Sequence, residues 1–552
     1  MNLINIALSF LAPKARAFER STKDPGYAQE RVLLEYLARN KDTEYGRKYG
    51  FANIGSVRQY RATVPIITYE SIRPLIDRMA KGESNILTSD KVVFFGITSG
   101  TTGQPKLIPV TDYSRNKKSE LMKLWAYYIN RDHPRLLEGK ILSIISPEVK
   151  NFTEGHIPYG PEDGHAYNNL PAPVRSLYVL PYQLFYINDY DARYYAILRI
   201  AMEQNVTTIA TLNPSTIVLL CERIPKVQGD IIEDIKNGTL KKTLDIPADI
   251  RASIEKRLRP NPRRADELKA ILKKEGDLLP KYFWPNLELV ECWKGGTVKL
   301  YLRELPRYLG DVPFRDFGYL STEARSSVPM SDSDEGSVMS VDSNFYEFIP
   351  REEMCKANKK TLLCDELEKG AQYVVVVTTP SGLYRYDTDD VITVTGFYNK
   401  TPMVAFVQKG KNALSLTGEK IYECHINESI NRAANKHKLS IGFFSSSVQM
   451  DDPPRYIFLM EFNRDYPHKE KKALLKSIEE ELCKENSEYK DIREQQLLGY
   501  PALKVVKRGE FEKYRARKIK EGRHDGQFKM PELVADVNFQ KNFIIEEEIK
   551  AE

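Results

Sequence analysis

Residues 91–111 read KVVFFGITSGTTGQPKLIPVT, and the rest of the chain can be organised around this stretch. Val92 to Phe95 is a β-branched and aromatic run of the kind that forms a buried strand. Behind it, Gly96, Gly100 and Gly103 let the backbone turn tightly enough for several N–H groups to converge on one anion. Thr98, Ser99, Thr101 and Thr102 add hydroxyl donors, and Lys106, fixed behind Pro105, offers a point charge to a phosphate oxygen. The spacing is not G-x-x-x-x-G-K-[ST], so a Walker-type loop is excluded. Taken by itself, the stretch reads as an anion-binding loop or as a polar turn between two strands.

Working outward, 552 residues exceed what a single core sustains, which predicts at least two domains, one of them large. With 41% hydrophobic and 29% charged residues, the composition is that of an ordinary globular protein. The net charge of +6 is a small excess over a large surface, and there is no basic stripe interleaved with aromatics, so no nucleic-acid partner is expected. Cys221, Cys292, Cys355, Cys364, Cys424 and Cys483 contain no C-x-x-C pair, which fits a reduced chain better than a disulfide framework or a structural zinc site. Leu3 to Leu11 is apolar but short, and its basic residues follow it; it reads as a helix docked on the body, with a membrane-surface contact as the alternative. No window approaches a membrane span, so the expectation is a cytoplasmic monomer without a transmembrane segment.

Along the chain, residues 17–80 show helical spacing, Arg115 to Ile129 reads as a helix and Lys140 to Ile145 as a buried strand. Ser146 to Pro173 carries Glu154, His156, Glu162, Asp163 and His165 at a spacing that fits no compact ligand set; rich in Gly and Pro, it reads as a loop covering substrate. Asp191 to Glu203, Thr207 to Thr211 and Ser215 to Ile224 alternate helix, strand and helix, the pattern of a wound α/β layer. A strand at Leu287 to Cys292 delivers the turn Trp293-Lys294-Gly295-Gly296-Thr297. Pro313 to Phe317 runs into Tyr319-Leu320-Ser321-Thr322-Glu323, where a carboxylate beside two hydroxyls suits Mg²⁺ bound with phosphates; the alternative is a helix N-cap with Glu323 in the first turn. Ser326 to Asn344, rich in Ser and Asp, reads as a surface loop. Leu383 to Val391 reads as a strand ending in Asp387, Asp389 and Asp390, either acceptors for two ribose hydroxyls or an acidic turn. Gln408 to Lys411 is a hinge candidate, and the helices and strands beyond it form a small α+β unit.

In order and separation, TSGTTGQPK, YLSTE, the strand carrying Asp390, the hinge and the terminal unit resemble the acyl-adenylate-forming superfamily. The phrases CWKGG, NFYEFIP, GLYRY and VTGFYNKTP, with Gln527-Phe528-Lys529-Met530-Pro531 similar to Q-[FYL]-K-x-P, narrow the resemblance to the auxin-responsive acyl-acid amido synthetase family over nearly the whole chain. The resemblance implies an α/β fold. Residues 1–408 would be a large domain of β-sheets layered by helices that binds ATP and the acyl acid, and residues 409–552 a small mobile α+β domain that rotates and supplies a lysine. It implies an ATP-dependent ligase: a small carboxylic acid is adenylated, and an amine, usually an amino acid, displaces AMP to form an amide. A thioester ligase acting on coenzyme A or an acyl carrier, and a catalytically weakened nucleotide-binding homologue, are the alternatives.

Residue by residue, the resemblance implies that Ser99, Gly100, Thr101, Thr102 and Gly103 hold the departing phosphates, while Gly295, Gly296 and Thr297 border the adenine and Tyr319 stacks beside it. Thr322 would touch the α-phosphate, Glu323 would bind Mg²⁺, Asp390 would accept the ribose hydroxyls, and Lys529 would stabilise charge during adenylation. One motif departs from the family's Y-R-x-G-D: Tyr386, Asp387, Thr388, Asp389 and Asp390 put carboxylates where an Arg and a Gly are usual. Arg385 is the neighbouring candidate for the missing cation. The acyl pocket is expected between about Ser114 and Val218, and side chains there leave the acid and the amine unspecified.

Overall fold

The computed structural model describes residues 8–97, 106–295, 299–353, 359–410, 413–414, 421–451, 453–494, 498–522 and 528–550, with Leu416 and Glu419. The chain divides into two compact units. One takes the chain up to Lys294 and then Leu305–Val407; the other takes Gly295–Glu304, Gln408–Arg523 and Phe528–Glu552. Placing Gly295–Glu304 in the second unit is a feature that a single cut at 408/409 does not contain.

In chain order the first unit holds β1 (Val92–Ile97), β2 (Leu107–Thr111), β3 (Lys140–Ser143), β4 (Asn151–Phe152), β5 (Pro158–Gly160), β6 (Val206–Ala210), β7 (Leu289–Glu291) and β8 (Phe314–Arg315). It continues with β9 (Ser327–Val328), β10 (Ser337–Met339), β11 (Phe345–Pro350), β12 (Gln372–Thr378), β13 (Tyr386–Tyr398) and β14 (Thr401–Lys409). They form three sheets, in the orders β2-β1-β5-β4, β3-β6-β7-β8 and β11-β12-β13-β14-β10-β9. The second sheet is parallel throughout, as the alternation with helices Tyr190–Ala201 and Ser215–Asn237 requires, and every residue of β6 is buried. In the third sheet, alternate residues face opposite ways. Val375, Val377, Ile392 and Val394 join the core with Leu33, Leu37, Ile72 and Ile76 of the N-terminal helices, while Val374, Val376 and Val391 pack with Ile349.

Two loop readings are corrected by these sheets. Ser146 to Pro173 is not a plain loop: β4 and β5 extend the β1 sheet, Phe95 pairing in parallel with Tyr159, and Glu162–Asn168 is a helix. The glycines that suggested looseness permit contact. A Cβ on Gly160 would stand 1.8 Å from the Glu148 carbonyl oxygen, and one on Gly164 2.3 Å from that of Ser146. Ser326 to Asn344 is a surface loop only in its middle, at Ser331 to Gly336, since Ser326, Ser327, Ser337, Ser340, Ser343 and Asn344 are buried. Their polarity is absorbed internally: Ser340 Oγ donates to the Arg325 carbonyl at 3.2 Å, Ser340 lies 2.8 Å from the Tyr346 hydroxyl, and Ser327 bonds Ser337.

The second unit contains β15 (Ala413–Leu414), β16 (Ile421–Tyr422), β17 (Ile441–Gln449), β18 (Arg455–Phe462), β19 (Ala502–Val506) and β20 (Ile545–Lys550), with a sheet in the order β17-β18-β19-β20. Helices Glu423–His437 and His468–Glu485 bury Ile426, Ile430, Leu474, Ile478 and Leu482 in its core. Strand β20, IEEEIK, lacks strand composition and pairs antiparallel with β19; it and the helix Ser487–Glu494 were not expected. Among the described residues no helix is long and apolar enough to cross a membrane. The reading of Leu3 to Leu11 lies outside the described residues up to Ala7; the helix Ala12–Ser21 follows it.

Candidate functional site

Strands β1 and β2 pair antiparallel out to Ile97 and Leu107, so the ends of the glycine-rich stretch are held side by side. Thr98, Ser99, Gly100, Thr101, Thr102 and Gly103 lie outside the described residues. At the far end, Lys106 Nζ sits 5.5 Å from the centre of the Tyr69 ring, and the Leu107 N–H donates to the Tyr69 hydroxyl at 2.8 Å. One tyrosine thus orients both the cation and the backbone that opens β2.

At the near end, Gly96 lies one residue before Ile97, and it leaves room for the next motif: a Cβ there would stand 2.6 Å from Thr322 Cγ2. The Thr322 region is a tight turn, closed by the Ser321 N–H on the Ala324 carbonyl at 2.8 Å and a bridge between Leu320 and Arg325. No helix begins at Glu323, so the N-cap reading falls. Thr111 and Ser114 form a reciprocal capping box that starts helix Asp112–Asp132. From that helix Lys118 Nζ donates to the Thr322 carbonyl at 2.8 Å and pairs with Glu162. Lys117, Lys118, Ser114, Ser381, Glu323 and Arg325 line a narrow cleft. Burial lowers the Arg325 guanidinium to about 10, and among the described residues its buried Nε has no hydrogen-bond partner.

Tyr319 is buried and donates its phenol hydrogen to Asp390 Oδ2 at 2.8 Å, its ring parallel to Phe406 with centroids 6.4 Å apart. Burial, then the Asp390 charge, holds its phenol well above the usual range, so it stays protonated. Glu323 is 6% exposed, and the Tyr386 hydroxyl reaches its Oε1 at 3.5 Å. Two motifs far apart in sequence are thereby joined through Tyr319–Asp390 and Tyr386–Glu323. Asp387 to Asp390 do not end a strand; they open β13, where the pairing with β12 slips between Val374 and Val376. Asp389, at φ 59°, holds the left-handed conformation that a glycine adopts without strain, which accounts for the family's glycine there.

Asp387 points inward to Lys359, whose Nζ lies 2.7 Å from Oδ2. Arg385 is not the replacement cation. Its Nε and Nη2 each donate to Glu347 at 2.7 Å, and its Nη1 donates to the Arg61 and Val64 carbonyls at 2.9 and 2.7 Å. Its φ of 47° ends the strand geometry that would put it on the face of Asp387. In the second unit, Lys529 is half exposed and 3.6 Å from Glu423 Oε2, and Gly295 is described, whereas Gly296 and Thr297 are not. The sequence assigns no role to Lys118, Tyr386 or Lys359. Tyr386 stood inside a motif, but nothing distinguishes Lys118 or Lys359 from other lysines.

His165, read within a covering loop, stacks on Phe94 of β1 with centroids 4.2 Å apart, and its Nδ1 is 2.7 Å from Glu148 Oε1. Among the described residues no group of three or more His, Cys, Asp or Glu side chains is arranged to hold a metal.

This fold matches solved acyl acid amido synthetases. The structure aligns with GH3.15 acyl acid amido synthetase at a TM-score of 0.84 and 26% identity, covering 97% of this chain and 96% of that one. A complex of AtGH3.15 with 2,4-DB aligns equally well, at a TM-score of 0.84, 25% identity and the same coverage. Sequence relatives include jasmonoyl-L-amino acid synthetase JAR4 of Nicotiana attenuata, 26% identical, with 94% of this chain and 93% of that protein covered. Indole-3-acetic acid-amido synthetase GH3.3 of Arabidopsis thaliana is also 26% identical, with 94% and 91% covered. Residues 14–314, 337–409 and 425–538 match the GH3 family N-terminal, central and C-terminal domains. The chain belongs to the GH3 family.

Proposed function

We propose that this chain is an acid–amino acid ligase that uses ATP. A carboxylate oxygen attacks the α-phosphorus, the bond to the β-phosphate oxygen breaks, and pyrophosphate leaves with the electron pair. An amine nitrogen then attacks the acyl carbon, AMP departs, and an amide remains once the nitrogen has lost its proton. The observation that carries this reading is the bond from Tyr319 to Asp390, which unites the two motifs expected to meet on one nucleotide.

In this reading Thr98, Ser99, Gly100, Thr101, Thr102, Gly103 and Lys106 hold the β and γ phosphates, Thr322 touches the α-phosphate, and Asp390 accepts the ribose hydroxyls. Gly295, Gly296 and Thr297 border the adenine with Tyr319. Glu323, a buried carboxylate, fits the protein ligand that Mg²⁺ accepts when nucleotide oxygens and water complete its shell; the ion would neutralise phosphate charge. Lys529 serves adenylation from the second unit, which turns between the half-reactions. These groups act by alignment and charge stabilisation, with no covalent step on the protein.

Acid-dependent exchange of pyrophosphate into ATP, measured over a panel of carboxylic acids, tests the reading. Exchange with at least one acid and without coenzyme A is expected. ATP binding with no exchange for any acid would instead mark a nucleotide-binding homologue.

A further inference from the structure

We propose that Lys359 is a positioning residue for nucleotide: by neutralising Asp387 it braces the bulge that aims Asp390. The proposal rests on Asp390 meeting the ribose.

The Asp387 side chain is only 2% exposed, so its charge needs a counterion, and Lys359 supplies it at 2.7 Å from Oδ2. The other oxygen, Oδ1, accepts the Asp389 N–H at 3.0 Å. That bond closes over a residue at φ 59°, a conformation a non-glycine residue adopts at a cost and keeps when its surroundings hold it. Next along the chain, the Asp390 N–H donates to Thr388 Oγ1 at 3.2 Å, and Thr388 Oγ1 donates to the Val375 carbonyl at 2.8 Å. The backbone N–H of Asp387 is tied to the Ile67 carbonyl at 2.8 Å. Asp390 is therefore fixed on one side by Tyr319 and Thr388, and on the other by a turn that the Lys359–Asp387 pair braces with charge. Where the family pattern has an arginine at position 387, this chain has the acid, and a cation arrives from position 359 instead. Arg385 cannot take over, because its guanidinium is committed to Glu347 and to two carbonyls.

Two measurements on the full chain test this. In the ATP-free protein, Lys359→Ala should speed amide hydrogen exchange in the segment containing residues 386–391 by about tenfold or more, with Lys359→Arg restoring protection. In calorimetric titrations with ATP, Lys359→Ala should weaken binding about tenfold, and Lys359→Arg should recover most of it. A merely structural lysine would loosen exchange broadly and leave ATP affinity unchanged. Unchanged exchange at 386–391 in Lys359→Ala overturns the brace, and so does loosened exchange with unchanged ATP affinity. If the wild-type chain binds no ATP while exchange still responds as described, the brace stands and the nucleotide reading falls.

Discussion

The methyl group of Thr322 stands where a side chain on Gly96 would begin, 2.6 Å from the position of a Cβ. The end of β1 and the Thr322–Glu323 turn therefore lie against each other, and the glycine sets their separation. Gly96 pairs with Ile108 within the strand, so its role is to admit a neighbour.

Gly96→Ala should displace the turn and lower acid-dependent pyrophosphate exchange by roughly tenfold or more, with a stability cost of about 1–3 kcal/mol from overpacking. Thr322→Ser removes the clashing methyl but keeps the hydroxyl. The double variant should recover much of the lost activity, read as a coupling in a double-mutant cycle. Independent, additive losses would contradict the contact.

Tyr319→Phe removes the donor to a buried carboxylate, so denaturant unfolding should show a loss of about 1–3 kcal/mol. The KM for ATP should rise more than the KM for the acid. An unchanged KM for ATP would separate Asp390 from nucleotide.

Arg385→Ala strips Glu347 of a bidentate partner in a buried setting, leaving Arg61 at 3.4 Å as its remaining ion pair among the described residues. A loss of about 3 kcal/mol in stability is expected. ATP affinity of the folded fraction should stay near wild type, the opposite pattern to Lys359→Ala. A selective loss of ATP affinity would return Arg385 to the nucleotide.

Glu291, at the end of β7, is pushed up to about 8 by burial, against which Arg315 pulls it down. Its folded carboxyl keeps its proton where the unfolded one, near 4.5, has lost it. Its contribution to stability is full below about pH 4.5 and declines as pH rises, until the folded group also ionises near pH 8, at a slope of up to about 1.4 kcal/mol per pH unit. Glu291→Gln should flatten that part of the stability–pH curve between pH 5 and 8. A slope equal to wild type would show that Glu291 is ionised in the folded protein.

The sequence announced the motifs in order and, with them, the fold. Helix and strand periodicity located most elements, from Val92 to the helix after Glu510. Serines misled at 326–344 because their hydroxyls are satisfied by one another and by Tyr346, so a polar composition lies inside the core. Glycines misled at 160 and 164, where they allow backbone contact. Strand β20 was hidden because an edge strand can present glutamates to water on its free face. At the site, residue types marked Tyr319, Glu323 and Asp390. The answer to Asp387 was invisible, since Lys359 lies in a lysine-containing run and only tertiary structure selects it.

Lys529 is one lysine among many, and its role concerns adenylation specifically. Lys529→Ala should reduce pyrophosphate exchange at least about a hundredfold while acting far less on amide formation from a supplied acyl-adenylate. Normal exchange in that variant would remove Lys529 from the reaction.

The most direct test of the account is the mass of the product formed from ATP, Mg²⁺, a turned-over acid, pooled amino acids and coenzyme A in one mixture. The account predicts an N-acyl amino acid, with AMP and pyrophosphate released in equal amounts to it. An acyl-coenzyme A thioester as the sole acyl product would contradict it.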